Sequence, residues 1–201
     1  MSDGVTMHRV GFRRDHAAKQ RAIRLLWQLD GSAGRVMQPY LYAVLDAARD
    51  DRIYPGLQRL LPQEQLLGLS SARGATDRGS TAPYLACLGT ADPVFDWIWE
   101  QGWGQGWGIF VWSLVSLEAL RAHFRRLAAA NGPSLRFYDP GLLTGFLPSC
   151  GSIQLRQIFG PIQCFTTEAP DGAALVSFRL RGETLVTSEE PLSVQAAEAT
   201  S

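Results

Sequence analysis

Between residues 12 and 30, the apolar side chains Ala22, Ile23, Leu25, Leu26 and Leu29 recur at helical spacing, while Arg13, Arg14, Lys19, Arg21 and Arg24 fill much of the rest. The pattern predicts a basic amphipathic helix, either packed with one solvated face or docked onto an acidic partner. Residues 1–11 lack this period and are expected to be disordered. After the break Gly31-Ser32-Ala33-Gly34, residues 41–45 read as a strand running into Asp46, Ala47 and Ala48, and residues 65–69 as a second, short one. A Gly/Ser/Thr-rich loop over residues 70–81 leads to a buried strand at 84–88. Asp92-Pro93 has the form of a helix start, an N-cap carboxylate followed by a first-turn proline. Val94, Phe95, Ile98 and Trp99 give that helix a wide apolar face, and Gly102 stops it.

The segment WGIFVWS, residues 107–113, is bulky on both alternating faces, which predicts a strand at the centre of the sheet, covered on both sides. Ser113 or Ser116 can cap the next helix, in which Leu117, Leu120, Phe124 and Leu127 form one stripe and Arg121, Arg125 and Arg126 lie off it. Asn131-Gly132 closes that helix through a left-handed cap. Residues 135–138 read as a strand, and Asp139-Pro140 opens a helix carrying Leu142, Leu143, Phe146 and Leu147. A short helix over residues 153–158 ends at Phe159-Gly160-Pro161. Residues 162–168 and 174–180 then form a hairpin across Ala169-Pro170-Asp171-Gly172. The polar tail after Arg181 is expected to fray. The architecture expected is a single α/β domain with a mixed β-sheet over residues 36–181, preceded by a flexible segment and basic helix (1–35) and followed by a flexible tail (182–201).

Composition narrows the function classes. The 201 residues are 46% hydrophobic and 19% charged, enough to bury roughly 70% of the unfolded surface in one core. Lys and Arg balance Asp and Glu at 19 each, so no global field recruits nucleic acid or anionic lipid. A local excess of basic residues before residue 30 keeps nucleic-acid binding only as a thin third possibility. No secretory-type apolar core stands at the N-terminus and no run of about eighteen apolar residues suggests a membrane span, so a cytoplasmic location is expected. Cys87, Cys150 and Cys164 are odd in number, widely spaced and set in apolar sequence, which suits small buried hydrophobes better than a disulfide or zinc framework.

Candidate chemistry is sparse. GWGQGWG, residues 102–108, has glycine at every second position and lies between a helix and a strand, the reverse of a phosphate-cradling loop. It is either a turn that folds Trp103 and Trp107 back onto the core or a loop that exposes them as a partner hot spot. Of the three histidines, only His123 falls within a firm helix, where packing or hydrogen bonding is the commoner role. No cofactor motif or metal-ligand spacing occurs. In RFYDP, residues 136–140, strand alternation would put Arg136 and Tyr138 on one face, while Asp139 suits an N-cap and Pro140 the first helical position. Arg136 and Tyr138 are left over, either for a buried ion pair or for a partner. With Asp139 and His123 they also allow the alternative of a small enzyme with its site in a cleft.

Six short segments share their order and spacing with a known family: LYAVLDAA (41–48), APYL (82–85), WGIFVWS (107–113), LEALRAHFRR (117–126), RFYDP (136–140) and FGP (159–161). On these the chain resembles the domain of unknown function found in adaptor or chaperone proteins of bacterial type VI secretion systems, which help load toxic effectors onto the valine-glycine-repeat spike protein. The resemblance covers residues 41–168. It implies a non-catalytic adaptor without cofactor or metal, whose partners are a secreted effector and the spike protein, with neither nucleic acid nor membrane. Trp103, Trp107, Arg126, Arg136 and Tyr138 are then the candidate partner-binding residues, and Asp46, Asp139 and Pro140 structural ones. Three departures accompany it: a short connection at residues 131–134, an end soon after the hairpin where many members carry a further lobe, and a basic first helix outside the shared core.

Overall fold

The chain builds its sheet outward from the WGIFVWS strand. The structure, a computed structural model, describes residues 12–27, 39–69, 81–89, 92–131 and 136–193. Its strands β1 (Tyr40–Asp46), β2 (Leu66–Gly68), β3 (Pro83–Leu88), β4 (Gly108–Ser113), β5 (Ile162–Glu168), β6 (Ala174–Arg181) and β7 (Thr184–Pro191) pair in the order β2-β3-β1-β4-β5-β6-β7. β4 is the middle strand, as its two apolar faces predict. Phe110 and Trp112 enter one core and Ile109 and Val111 the other. β1 divides in the same way, Leu41, Ala43 and Leu45 against Tyr42 and Val44.

Helices cover both faces. The first layer holds α1 (His16–Trp27), α2 (Ile53–Leu60) and α3 (Pro93–Trp97), the last continued by a π-helical turn, Ile98–Gly102. The second holds α4 (Leu117–Asn131), α5 (Pro140–Phe146) and α6 (Ser152–Phe159). The predicted α4 stripe Leu117, Leu120, Phe124 and Leu127 is buried in the second core. Asp92 and Asp139 are the N-caps anticipated, their carboxylates accepting from Val94 N at 2.8 Å and Leu142 N at 3.1 Å. Each such cap is worth about 1 kcal/mol.

The single α/β domain is therefore observed, but every strand pairing is antiparallel where a mixed sheet was expected. β3 and β4 do run the same way, yet β1 lies between them. The three helices from α4 to α6 return the chain to the sheet end it left, so β5 meets β4 antiparallel. Three cations in and just before α1 are engaged by the chain itself. Arg14 donates to the carbonyls that end the π-helical turn, Lys19 pairs with Asp96 at 3.0 Å, and Arg21 reaches Glu190 and Pro191 O. Favourable charge at a helix C-terminus accounts for the Arg14 contacts.

Two further expectations are corrected. Residues 136–138 form a turn, not a strand: Asp139 N donates to Arg136 O at 2.8 Å, and Phe137 stacks on Phe124 with centroids 4.5 Å apart. Phe137 is thus held by α4 and pairs with no strand among the described residues. The tail expected to fray includes β7, which pairs with β6 through eight positions across the two-residue turn Gly182-Glu183, with Gly182 at φ +62°. Its polar composition reflects an edge strand exposed on both faces, which sequence alternation does not separate from a coil. The expectations for residues 1–11, 31–34, 70–80, Gly132, Leu135 and 194–201 lie outside the described residues.

The alternating glycines of residues 102–108 have separate reasons. A side chain on Gly102 would begin 2.3 Å from the Trp107 ring, and one on Gly108 would begin 1.9 Å from Val44 O in the neighbouring strand. Trp103 and Trp107 are therefore folded into the first core, each 2% exposed. Because a backbone carbonyl in mid-sheet cannot step aside, Gly108→Ala is expected to cost about 3 kcal/mol or more. Gly145→Ala, in α5 with open space around it, should be neutral or stabilise by up to about 1 kcal/mol. Urea unfolding midpoints of the two variants check this contrast; equal midpoints would contradict it.

Candidate functional site

The charged residues of the RFYDP segment gather at one end of the sheet, where β1 and β5 finish and β4 begins. Asp46, the last residue of β1, is 2% exposed. A carboxylate so placed requires donors, and it has two. Ala48 N donates to Oδ1 at 3.2 Å, and the Arg136 guanidinium donates to Oδ2. That hydrogen bond, together with the Asp46 charge, raises the Arg136 pKa still further. The same guanidinium lies 5.7 Å from the Tyr138 ring centroid, within cation–π range. Burial, then the Asp46 charge, pushes the Tyr138 hydroxyl up. Arg136, itself exposed, thus joins the buried Asp46 carboxylate to the Tyr138 ring, from a turn and not from a sheet face.

Asp139 is one turn further on. Its Oδ1 caps α5, and its Oδ2 accepts from Arg49 Nη2. Burial pushes this carboxyl up, but the Leu142 amide and Arg49 outweigh it and hold the pKa below the usual range. Each oxygen of Asp139 thus has a partner within the chain. Beside Arg49, Asp50 is bound by Arg52 at 2.6 Å, which holds its pKa at about 2. Arg52 also reaches Gln101 Oε1 at 3.1 Å and lies 5.4 Å from the Trp107 ring centroid.

The opposite wall is the glycine loop. Gly104 and Gly106 have φ of +79° and +65°, values that favour glycine. In that conformation their amides donate to the two Glu168 oxygens, at 2.5 Å and 2.7 Å. Trp103 Nε1 donates to Gly172 O at 2.9 Å, tying the loop to the β5–β6 turn. Between these parts lies a cleft of ≈ 220 Å³, lined by Arg49, Gly104, Gly106, Asp139 to Gly141, Thr144 and Glu168 to Pro170.

The structure thus assembles Asp46, Arg136, Tyr138, Asp139 and Pro140 in one place. It removes Trp103 and Trp107 from the surface, so the exposed hot spot considered for them is corrected: their rings supply core area. Arg126 is exposed on α4 and is not in the cleft wall. His123 is buried, its Nε2 2.8 Å from Ile158 O, and burial lowers its pKa. A side chain on Gly160 would begin 2.4 Å from its ring, so the histidine fills a packing slot. Sequence reasoning missed Arg49, Arg52 and Glu168. The charged run Arg49-Asp50-Asp51-Arg52 directly after a strand was a signal for the first two, whereas nothing local marked Glu168. Among the described residues, no group of three or more His, Cys, Asp or Glu could hold a metal ion, the cysteines are free, and no helix is long and apolar enough to cross a membrane.

The family described as Domain of unknown function (DUF4123) matches this chain over residues 41–157. That span includes Asp46, Arg49, the glycine loop and the RFYDP turn, while Glu168 and β5 to β7 lie beyond it. No curated protein and no solved structure matches.

Burial holds the Glu168 carboxyl above the ordinary glutamate value of 4.5, and the two glycine amides offset this only in part. The folded chain therefore keeps this proton to higher pH than the unfolded chain, so the stability contributed by Glu168 falls as pH rises from 4.5 through the raised value. Glu168→Gln removes the titration. Over that window the wild type should lose stability relative to the variant, as measured by urea unfolding at a series of pH values. A difference independent of pH would contradict this electrostatic account.

Proposed function

The chain belongs to the DUF4123 family, and from that premise we propose that it is a non-catalytic adaptor that binds a type VI secretion effector in the cytoplasm and helps load it onto the valine-glycine-repeat spike protein. The observation that carries this reading is the fate of the RFYDP charges. Each of them bonds within the chain: Arg136 to Asp46, and Asp139 to a helix cap and to Arg49. The segments that carry the resemblance occupy framework positions, in β1, β3, β4, α4, the Arg136–Asp139 turn and the α6–β5 junction. A framework with a cleft at one end suits the holding of a protein partner.

A stable adaptor complex buries about 1,200–2,000 Å² in total. The surface available for this excludes Trp103 and Trp107 and includes the cleft wall of Arg49 and Thr144. Neither a cofactor nor a metal enters the reading, and its partners are the effector and the spike protein alone.

The test is co-expression of the full chain with the products of its neighbouring genes, followed by affinity capture and size-exclusion chromatography. A stoichiometric complex with an effector or spike protein is expected, and Asp139→Asn should preserve both the fold and the complex, because asparagine caps a helix about as well as aspartate. Recovery of neither partner under secretion-active conditions would overturn the reading. A well-folded Asp139→Asn protein that forms the complex but abolishes an activity of the wild type would favour a small enzyme instead.

A further inference from the structure

The two edges of the sheet are treated differently. β2 is three residues long, and the outward carbonyl of its Gly68 accepts from Arg121 Nε at 2.7 Å. Shortness and a covering arginine are ordinary ways of blunting an edge. β7 at the opposite edge is eight residues long, pairs with β6 without a bulge, and has no strand on its other side among the described residues.

The ladder fixes which of its backbone groups are free. Leu192 N donates to Ala173 O at 2.8 Å, and antiparallel pairs alternate between bonded and non-bonded. Glu190, Ser188, Val186 and Thr184 therefore bond inward to β6, while the N–H and C=O of Leu185, Thr187 and Glu189 point outward. Pro191, which has no N–H and whose carbonyl accepts from Arg21 Nε, ends this outward row, so the open stretch runs from Leu185 to Glu189, and the Gly182-Glu183 turn bounds it at the other end. Val186 is one of the large hydrophobic side chains left exposed among the described residues. Charge is uneven along the strand as well. Glu183 pairs with Arg156 and Glu190 with Arg21, but Glu189 has no ion pair among the described residues.

We propose that the outer edge of β7 docks one extended strand of a partner protein, which places β-branched or apolar residues opposite Leu185 and Thr187 and a lysine or arginine opposite Glu189. The main-chain bonds supply affinity, as in strand addition to other sheet edges. Opposite charges across a strand pair supply selectivity. That the partner is a protein rests on the adaptor reading; the edge geometry does not.

The full-length, isotope-labelled chain is titrated with two synthetic peptides, Lys-Thr-Val-Thr-Val-Thr-Lys and the same sequence with glutamate at both ends, while amide hydrogen exchange is followed by NMR. With the basic peptide, exchange at Leu185, Thr187 and Glu189 should slow by about tenfold or more, and exchange at Val186 and Ser188 should change little. The acidic peptide should bind about tenfold more weakly, and Glu189→Lys should invert the order. Thr187→Pro, which removes an outward N–H and leaves the inward ladder intact, should abolish binding. If that variant fails to fold, the charge inversion at Glu189 still decides. The proposal is overturned if the outward amides are already as protected as the inward ones in the free chain, whether at all concentrations, as a covering segment of the chain would cause, or only at high concentration, as a second copy would. It is equally overturned if the peptides bind alike or not at all. Effector co-purification can succeed when these results fail, and fail when they succeed, so the two readings stand or fall separately.

Discussion

A carboxylate buried at the end of a central strand has to be neutralised where it stands, and for Asp46 Arg136 does this. The pair joins the last residue of β1 to a turn 90 positions later in the chain. From that joint much of the cleft end follows. The turn places Phe137 against Phe124 of α4, sets Asp139 at the first turn of α5, and brings the Asp139 carboxylate to Arg49. Removing the guanidinium would leave Asp46 buried without a counter-charge, which costs far more than the pair itself contributes.

A second closure faces the first across the cleft, and its hydrogen bonds come from the backbone. Glu168 is held by two glycine amides that only a left-handed backbone can aim. Burial of Trp103 and Trp107 fixes the same loop from beneath, so its flexible-looking composition encodes a rigid wall. One end of the sheet is therefore built twice over, by an ion pair on one side and a backbone nest on the other.

Most of the framework was legible in the sequence because periodicity and caps are local properties. The two apolar faces of residues 107–113 identified the central strand, and Asp92-Pro93 and Asp139-Pro140 marked helix starts that the structure shows atom for atom. Residues 136–138 misled because an alternating Arg-Phe-Tyr pattern is the same in a strand as in a turn whose middle residue is anchored by another helix. β7 was hidden because an edge strand exposed on both faces has no apolar alternation to read. At the site, Asp139 and its neighbours were found from sequence. Arg49 and Glu168 were not, since they reach the cleft only through pairing of distant strands. The tryptophans of the glycine loop were ambiguous because burial of a ring depends on what lies opposite it, here Gly102 for Trp107.

The central claim, that the RFYDP charges are a joint of the fold and not the business end of a site, is tested most directly by a double-mutant cycle. Stability to urea is measured for wild type, Asp46→Asn, Arg136→Gln and the double variant. A coupling energy of at least about 1 kcal/mol, with each single variant clearly destabilised, is the result expected. A coupling near zero, with both single variants as stable as wild type, would contradict the account.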